Sequence, residues 1–256
     1  MYNSFTAGTK AEPEKYNNEL RSVSRKFKEA GVQAVVLDLR YNEGGSMDCV
    51  QLLGTILTSA DRLGEPMAYL EYNDKNTDKD ATILFSTDRE INLDLHSLIA
   101  ITSGTTMGAP EMLIRSLFLE DVYPIATVGS STKGQNVATE QFINEEFLWS
   151  VNPVVCTVYN SQHDTYGAIS PATDLKVSET TIDGSTNYSE FLPFGTFDKD
   201  GKSERLLKIA IGVLDGTYPP KDDKAPEEST TQTRFKVEKS VNSPASRRFS
   251  SKGLRL

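Results

Sequence analysis

The chain has 256 residues, 38% of them hydrophobic and 25% charged, with a formal net charge of −9. That length supplies a core for one large domain, or a domain with a tail, and the acidic balance argues against a general nucleic-acid binder. No apolar run approaches the roughly 20 residues that span a bilayer, and Met1 to Phe5 has neither the basic nor the apolar region of a secretory signal.

Pro13 opens a helical pattern with Tyr16, Leu20, Val23 and Phe27 on one face, and Gly31 closes it. The unbroken run Ala34-Val35-Val36-Leu37 then delivers Asp38, Arg40, Asn42 and the pair Gly44-Gly45. Such a run reads as a buried parallel strand leading into a tight turn, with functional loops expected at its carboxyl end. Gly44 and Gly45 lack a Cβ, so their N–H groups can approach a ligand closely. Ser46 is a candidate N-cap for a helix carrying Met47, Val50, Leu53 and Leu57 on one face. Residues 60–92 read as loops and short strands. Leu98 to Ile101 is a second buried strand, Thr102 to Gly108 a loop, and Pro110 the first turn of a helix through Leu117. Ile125 to Val128 is a third strand, and Gly129 to Gly134 a glycine-bounded loop. Val154 to Tyr159 is a further strand, and Leu206 to Leu214 a last helix ended by Gly216. Strands alternating with helices predict a layered α/β domain with mainly parallel pairing. After Pro219-Pro220 the composition turns polar, then basic and Ser-rich, which predicts a tail that is disordered or ordered only against a partner.

Asp38-Leu39-Arg40-x-Asn42-x-Gly44-Gly45 resembles the signature of the tail-specific, or C-terminal processing, peptidases of family S41, which use a Ser/Lys mechanism. Thr105-Thr106-Met107-Gly108-Ala109-Pro110-Glu111 is similar to the family's nucleophile loop, and aligning it on Ala109 and Glu111 puts Gly108 at the nucleophile position. Gly129-Ser130-Ser131-Thr132-Lys133-Gly134 resembles the loop carrying the lysine base, and the separation of 108 from 133 matches the family's Ser-to-Lys spacing. The resemblance continues through Trp149 to Val155, Tyr166 to Asp174, and Phe194-Gly195 to Gly216, with wording closest to a Bacteroidetes-type branch.

The resemblance implies a ClpP/crotonase-like α/β core of βαβ units over residues 1–219, lacking its usual upstream region, with 220–256 as the tail. It implies a serine endopeptidase acting on peptides or proteins in the cell envelope. Lys133 would be the general base, and the backbone of Gly44, Gly45 and Ala109 the oxyanion donors. A Ser hydroxyl is a weak nucleophile until a base takes its proton, and lysine serves only where burial favours the neutral amine. Oxyanion donors in another protease contribute about 2.7–4 kcal/mol each. With Gly108 there is no oxygen to attack with, so the chain as written is expected to be inactive; the alternative is a non-catalytic peptide-binding module. Val137 stands where many members carry a Gln that orients the lysine; Gln135 or Asn136 could substitute.

Each residue also has an ordinary reading. Lys133 alone would be a solvated loop lysine, Gly108 a turn glycine, and Glu111 a first-turn acid facing the helix dipole. Ser130-x-x-Lys133 matches a β-lactamase pattern, but the companion Ser-Asp-Asn and Lys-Thr-Gly motifs are absent. Ser131 or Thr132 could serve as a displaced nucleophile. Cys49 and Cys156 are too few for a disulfide scaffold or a zinc site, though they could form a single bridge. Cys49 reads as a buried thiol, and His96 and His163 as structural or solvated. With two histidines, no metal centre or cofactor is expected.

Overall fold

The computed structural model describes residues 1–118, 125–173, 175–176, 205–218 and 253–255. Asp174, the Phe194-Gly195 element and most of the tail lie outside the described residues. In chain order the elements are α1 (Lys15–Glu29), β1 (Ala34–Asp38), β2 (Gly44–Ser46), α2 (Met47–Leu57), β3 (Pro66–Tyr72), β4 (Ala81–Leu84), β5 (Ser97–Thr102) and α3 (Ala109–Leu117). They are followed by β6 (Ile125–Gly129), β7 (Val137–Thr139), β8 (Phe142–Asn144), β9 (Trp149–Val151), β10 (Val154–Tyr159), α4 (Arg205–Asp215) and β11 (Gly253–Arg255).

Two sheets carry the architecture. A parallel sheet has the order β1-β5-β6, with Val36 opposite Ile99 and Ile101 opposite Val128. Its central strand explains the unbroken apolar run in the sequence, because successive side chains point to opposite faces and both faces are covered. Leu98 and Ala100 enter the main core with α2 and α3, while Ile99 and Ile101 meet Leu206, Ile209 and Ala210 of α4. The layers are thus helix, sheet, helix, as the α/β expectation requires. β1 is the sheet's edge, so its residues are only partly buried rather than fully buried as the sequence suggested.

The second sheet has the order β2-β11-β7-β10-β3-β4 and departs from mainly parallel pairing. Its β7-β10-β3-β4 portion is antiparallel: β3 and β4 lie in the segment 60–92 read as loops and short strands, and β10 is the strand expected over Val154 to Tyr159. β11 is parallel to both of its neighbours.

Helix α1 forms where expected but is rotated. Of the four residues placed on one face, Leu20 packs against the core while Tyr16, Val23 and Phe27 are exposed; Asn17 and Ser24 are buried. Polar contacts hold that face. The Ser24 hydroxyl donates to the Ile91 carbonyl, and Lys28 Nζ donates to the carbonyls of Arg89 and Asn92. Carbonyls left open by the irregular segment 86–96 outweigh the apolar stripe in setting the helix's rotation.

Candidate active site

The carboxyl end of β1 is where the sequence placed function, and the structure shows what Asp38, Arg40 and Asn42 do there. Asp38 and Arg40 form an ion pair of 2.7 Å with Arg40 buried, two residues apart on the strand end. Asn42 is fully buried and ties four pieces of backbone together. Its Oδ1 accepts from the Gly44 N–H (3.0 Å), its Nδ2 donates to the Tyr2 carbonyl (2.9 Å), its N–H donates to the Leu39 carbonyl (3.1 Å), and its carbonyl accepts from the Met107 N–H (3.1 Å). Met107 directly precedes Gly108, so Asn42 joins the glycine turn to the nucleophile loop.

That loop is stitched to β1 by hydroxyls. Thr106 Oγ1 donates to the Leu39 carbonyl (2.9 Å), Thr105 Oγ1 to the Arg40 carbonyl (2.8 Å), and Ser103 Oγ to the same Arg40 carbonyl. Short polar side chains bonding backbone are what a Ser/Thr-rich loop offers when it cannot form a ladder. The loop ends at Gly108, the buried N-cap of α3, with φ of 70° and ψ of −108°. A side chain is strained there, and a sharp strand-to-helix turn of this kind is where nucleophiles of acyl-transfer enzymes are presented. Ala109 opens the helix, so its N–H is among those with no intrahelical acceptor.

Glu111 is the residue whose importance the sequence understated. It is fully buried and does not merely face the helix dipole. Its Oε2 accepts from the Gly108 N–H (2.9 Å) and the Gln135 N–H (2.8 Å); its Oε1 accepts from the Gly134 N–H (2.5 Å) and from the Thr132 hydroxyl. One carboxylate therefore holds Gly108 and the loop around Lys133 together. A further strut is the Lys133 N–H, which donates to the Thr106 carbonyl (3.0 Å). The signal available in sequence was a Glu three residues after a helix-start Gly, which marks a reciprocal cap; nothing local said that its second oxygen reaches residues 132–134. Tyr166, buried nearby, has its hydroxyl pushed above the ordinary tyrosine range by burial and then by the Glu111 charge.

The structure brings Gly108, Ala109 and the lysine loop together, but two predicted features differ from expectation. Lys133 is exposed, so this geometry lacks the burial that favours a neutral amine. Gly44 and Gly45 do not form an open turn: they are strand β2, where the Gly44 N–H is given to Asn42 and Gly45 pairs with Phe5 on one side and Leu254 on the other. Gly45 has to be glycine, since with φ of 142° an added Cβ would stand 2.2 Å from the Phe5 carbonyl oxygen.

The remaining candidates resolve simply. Thr132 Oγ1 is engaged between Glu111 and the Ile169 N–H, and Ser131 Oγ bonds Ser170 Oγ (2.9 Å), which leaves neither poised as a displaced nucleophile. Asn136 Nδ2 donates to Thr165 Oγ1 (3.1 Å). Gln135 Oε1 is buried without a hydrogen-bond partner among the described residues. Ser46 occupies the N-cap of α2 but makes no side-chain cap bond. Cys49 and Cys156 are free and buried. Burial pushes the Cys49 thiol up, partly offset by hydrogen bonds from Ser46 and Asn17, and pushes Cys156 up to about 11. His96 is exposed; His163 is exposed, stacks on Tyr69 and bonds Glu71 Oε1 (2.8 Å).

Comparison with known proteins agrees with this geometry. A family model described as Peptidase family S41 matches residues 2–151. The chain is similar to the solved structure of an S41 protease from Bacteroides fragilis NCTC 9343, with 34% identity and a TM-score of 0.70, covering 84% of this chain and 53% of that one. A peptidase structure from Parabacteroides merdae ATCC 43184 matches at 22% identity and a TM-score of 0.50, covering 83% of this chain and 59% of that one, which speaks to fold alone. The chain thus spans little more than half the length of these relatives. No curated protein matches it. With the motif-bearing strand, the glycine-started helix and the lysine loop all inside or at the edge of a match covering more than half of its length, the chain belongs to peptidase family S41.

Proposed function

We propose that this chain is the core of a Ser/Lys endopeptidase in which position 108 carries no nucleophile, so that as written it holds peptides without forming an acyl-enzyme. The observation that carries the reading is the shared Glu111 carboxylate, which fixes Gly108 at a helix start and the Lys133 loop beside it. Of the proposed oxyanion donors, Gly44 N–H is already engaged by Asn42, which puts the weight on Ala109 N–H at the helix start. Lys133 becomes a competent base only when something covers it, and a bound peptide is the natural cover. The substrate is an extended peptide or protein segment. By likeness to the family we assign the activity to the cell envelope; among the described residues no helix is long and apolar enough to cross a membrane.

Gly108→Ser restores the missing oxygen. Peptide hydrolysis is expected from folded Gly108→Ser and not from the parent or from Gly108→Ala. Silence in folded Gly108→Ser, both full-length and in a chain ending at Ser250, refutes the catalytic reading and leaves the peptide-binding one. Turnover by the parent refutes the assignment of position 108.

A further inference from the structure

The six-stranded sheet contains a strand that the sequence did not predict. β11 comes from the basic tail, after a stretch of 34 residues beyond Tyr218, and it is inserted between β2 and β7. Gly253, Leu254 and Arg255 face Gly44, Gly45 and Ser46 on one side; Leu254 and Arg255 face Ala138 and Thr139 on the other. Among the described residues, β11 is what joins β2 to the rest of that sheet.

Its surroundings are those of the candidate site. β2 is the glycine pair at the end of the family motif, and β7 begins four residues after Lys133. β11 also comes within 8 Å, Cα to Cα, of α3, the helix started by Gly108. Taken out of the sheet, β11 leaves two strands with open backbone edges separated by one strand's width. Such a gap accepts an extended segment through main-chain bonds alone, and so tolerates many sequences. Charge favours the tail as occupant. From Arg234 onward it has seven Lys or Arg against one Glu, so the remainder of the chain is more acidic than the overall −9.

We propose that the gap between β2 and β7 is the peptide-binding slot, and that Gly253–Arg255 fills it in cis as a self-inhibiting pseudosubstrate. The inference rests on the peptidase reading for what the slot is for, but not for whether the slot binds. A tethered segment competes at an effective concentration on the order of millimolar. A peptide added at micromolar concentration is therefore excluded from the full chain and admitted once the tail strand is gone.

The test is fluorescence anisotropy with a labelled hexapeptide, Ser-Lys-Gly-Leu-Arg-Leu, against three proteins: the full chain, a chain ending at Ser250, and full-length Leu254→Pro. Proline removes the N–H and disrupts the central residue of the strand. The shortened chain and Leu254→Pro are expected to bind saturably, and the full chain at least ten-fold more weakly. The hexapeptide with proline in place of leucine at its fourth position is expected not to bind. Equal binding by the full and shortened chains overturns the proposal. So does absence of binding by a shortened chain with a native thermal melt, and so does unfolding of both tail variants, which would make β11 a structural strand. Hydrolysis is read separately, with Gly108→Ser placed in the chain ending at Ser250, where the tail strand does not occupy the slot. Hydrolysis without hexapeptide binding refutes the tail proposal alone, and binding without hydrolysis refutes the peptidase reading alone.

Discussion

Removing the Glu111 carboxylate tests whether one buried group organises the site. In Glu111→Ala four donors lose their acceptor: the N–H groups of Gly108, Gly134 and Gln135, and the Thr132 hydroxyl. The hydroxyl can turn elsewhere. The N–H groups of Gly134 and Gln135 are only partly buried and can reach water, whereas the Gly108 bond is buried. Each buried donor left unsatisfied costs roughly 1–3 kcal/mol. Counting one full penalty, two partial ones and a small void gives a loss of about 3–6 kcal/mol. That is a large share of the roughly 5–15 kcal/mol that holds a typical protein folded. For a chain of this size it corresponds to a melting temperature lower by about 10–20 °C. Glu111→Gln keeps the shape and one oxygen but sets an amide NH2 against N–H donors, for an expected loss of about 2–4 kcal/mol. Urea unfolding followed by circular dichroism measures both, with an unchanged m-value as the check that the transition is still the same one. A Glu111→Ala protein within about 0.5 kcal/mol of the parent, the range of an ordinary surface substitution, refutes the assignment of Glu111 as the joint between the two loops.

Other perturbations probe other parts. Gly45→Ala places a Cβ 2.2 Å from the Phe5 carbonyl oxygen, a backbone atom that cannot swing away, so soluble yield and melting temperature should both fall sharply; a parent-like melt would mean that β2 is not held between Phe5 and β11. Gly108→Ala and Gly108→Ser both force a side chain into φ of 70°, which costs about 1–3 kcal/mol. The two should therefore melt together below the parent, and equal stability of all three would show that the turn relaxes. Cys156 has its thiol pushed up from 9.0 to about 11 by burial, and Cys49 is shifted in the same direction. The unfolded chain gives up these protons first, so the contribution is complete below about pH 9 and is lost as pH rises through about 11. Thermal melts should be flat across neutral pH and fall over that alkaline window, and neither thiol should react with a disulfide reagent at pH 8 until the chain unfolds.

What was legible in the sequence was local and chemical. The strand ending at Asp38, the helix Ala109–Leu117 started by Gly108 and the loop around Lys133 all stand where their residue types put them, because each is fixed by its own turn chemistry or by an apolar run. What was not legible depended on distant partners. The exposed side of α1 carries its apolar stripe because carbonyls between Arg89 and Asn92 claim the opposite face. The glycine pair looked like an open turn; it became a strand because Phe5 and Leu254, far away in sequence, supply its neighbours. Glu111 looked ordinary because its second oxygen is used by residues more than twenty positions on. Lys133 is exposed, as its ordinary reading as a loop lysine had it and not as the general-base role requires; its backbone reaches Thr106 without burying its side chain.

These dependencies separate structural duties from catalytic ones. Glu111, Asn42 and Thr132 hold backbone together, so they would be retained in a chain that had lost its activity, and their presence says nothing about turnover. A glycine at position 108 also relieves the strain that any side chain would carry at that φ, so in the proposed reading a serine there would gain activity at a cost in stability, a common direction of trade between the two. Lys133 is different: its backbone N–H is used but its exposed side chain has no structural role to fill. In the Gly108→Ser protein, Lys133→Ala should leave stability within about 0.5 kcal/mol, as exposed substitutions do. It should lower turnover by about 10²–10⁴-fold, the share a positioned general base contributes. Full activity without the lysine amine would mean that the serine is activated by another group, and the Ser/Lys assignment would fall even though the fold and family stand.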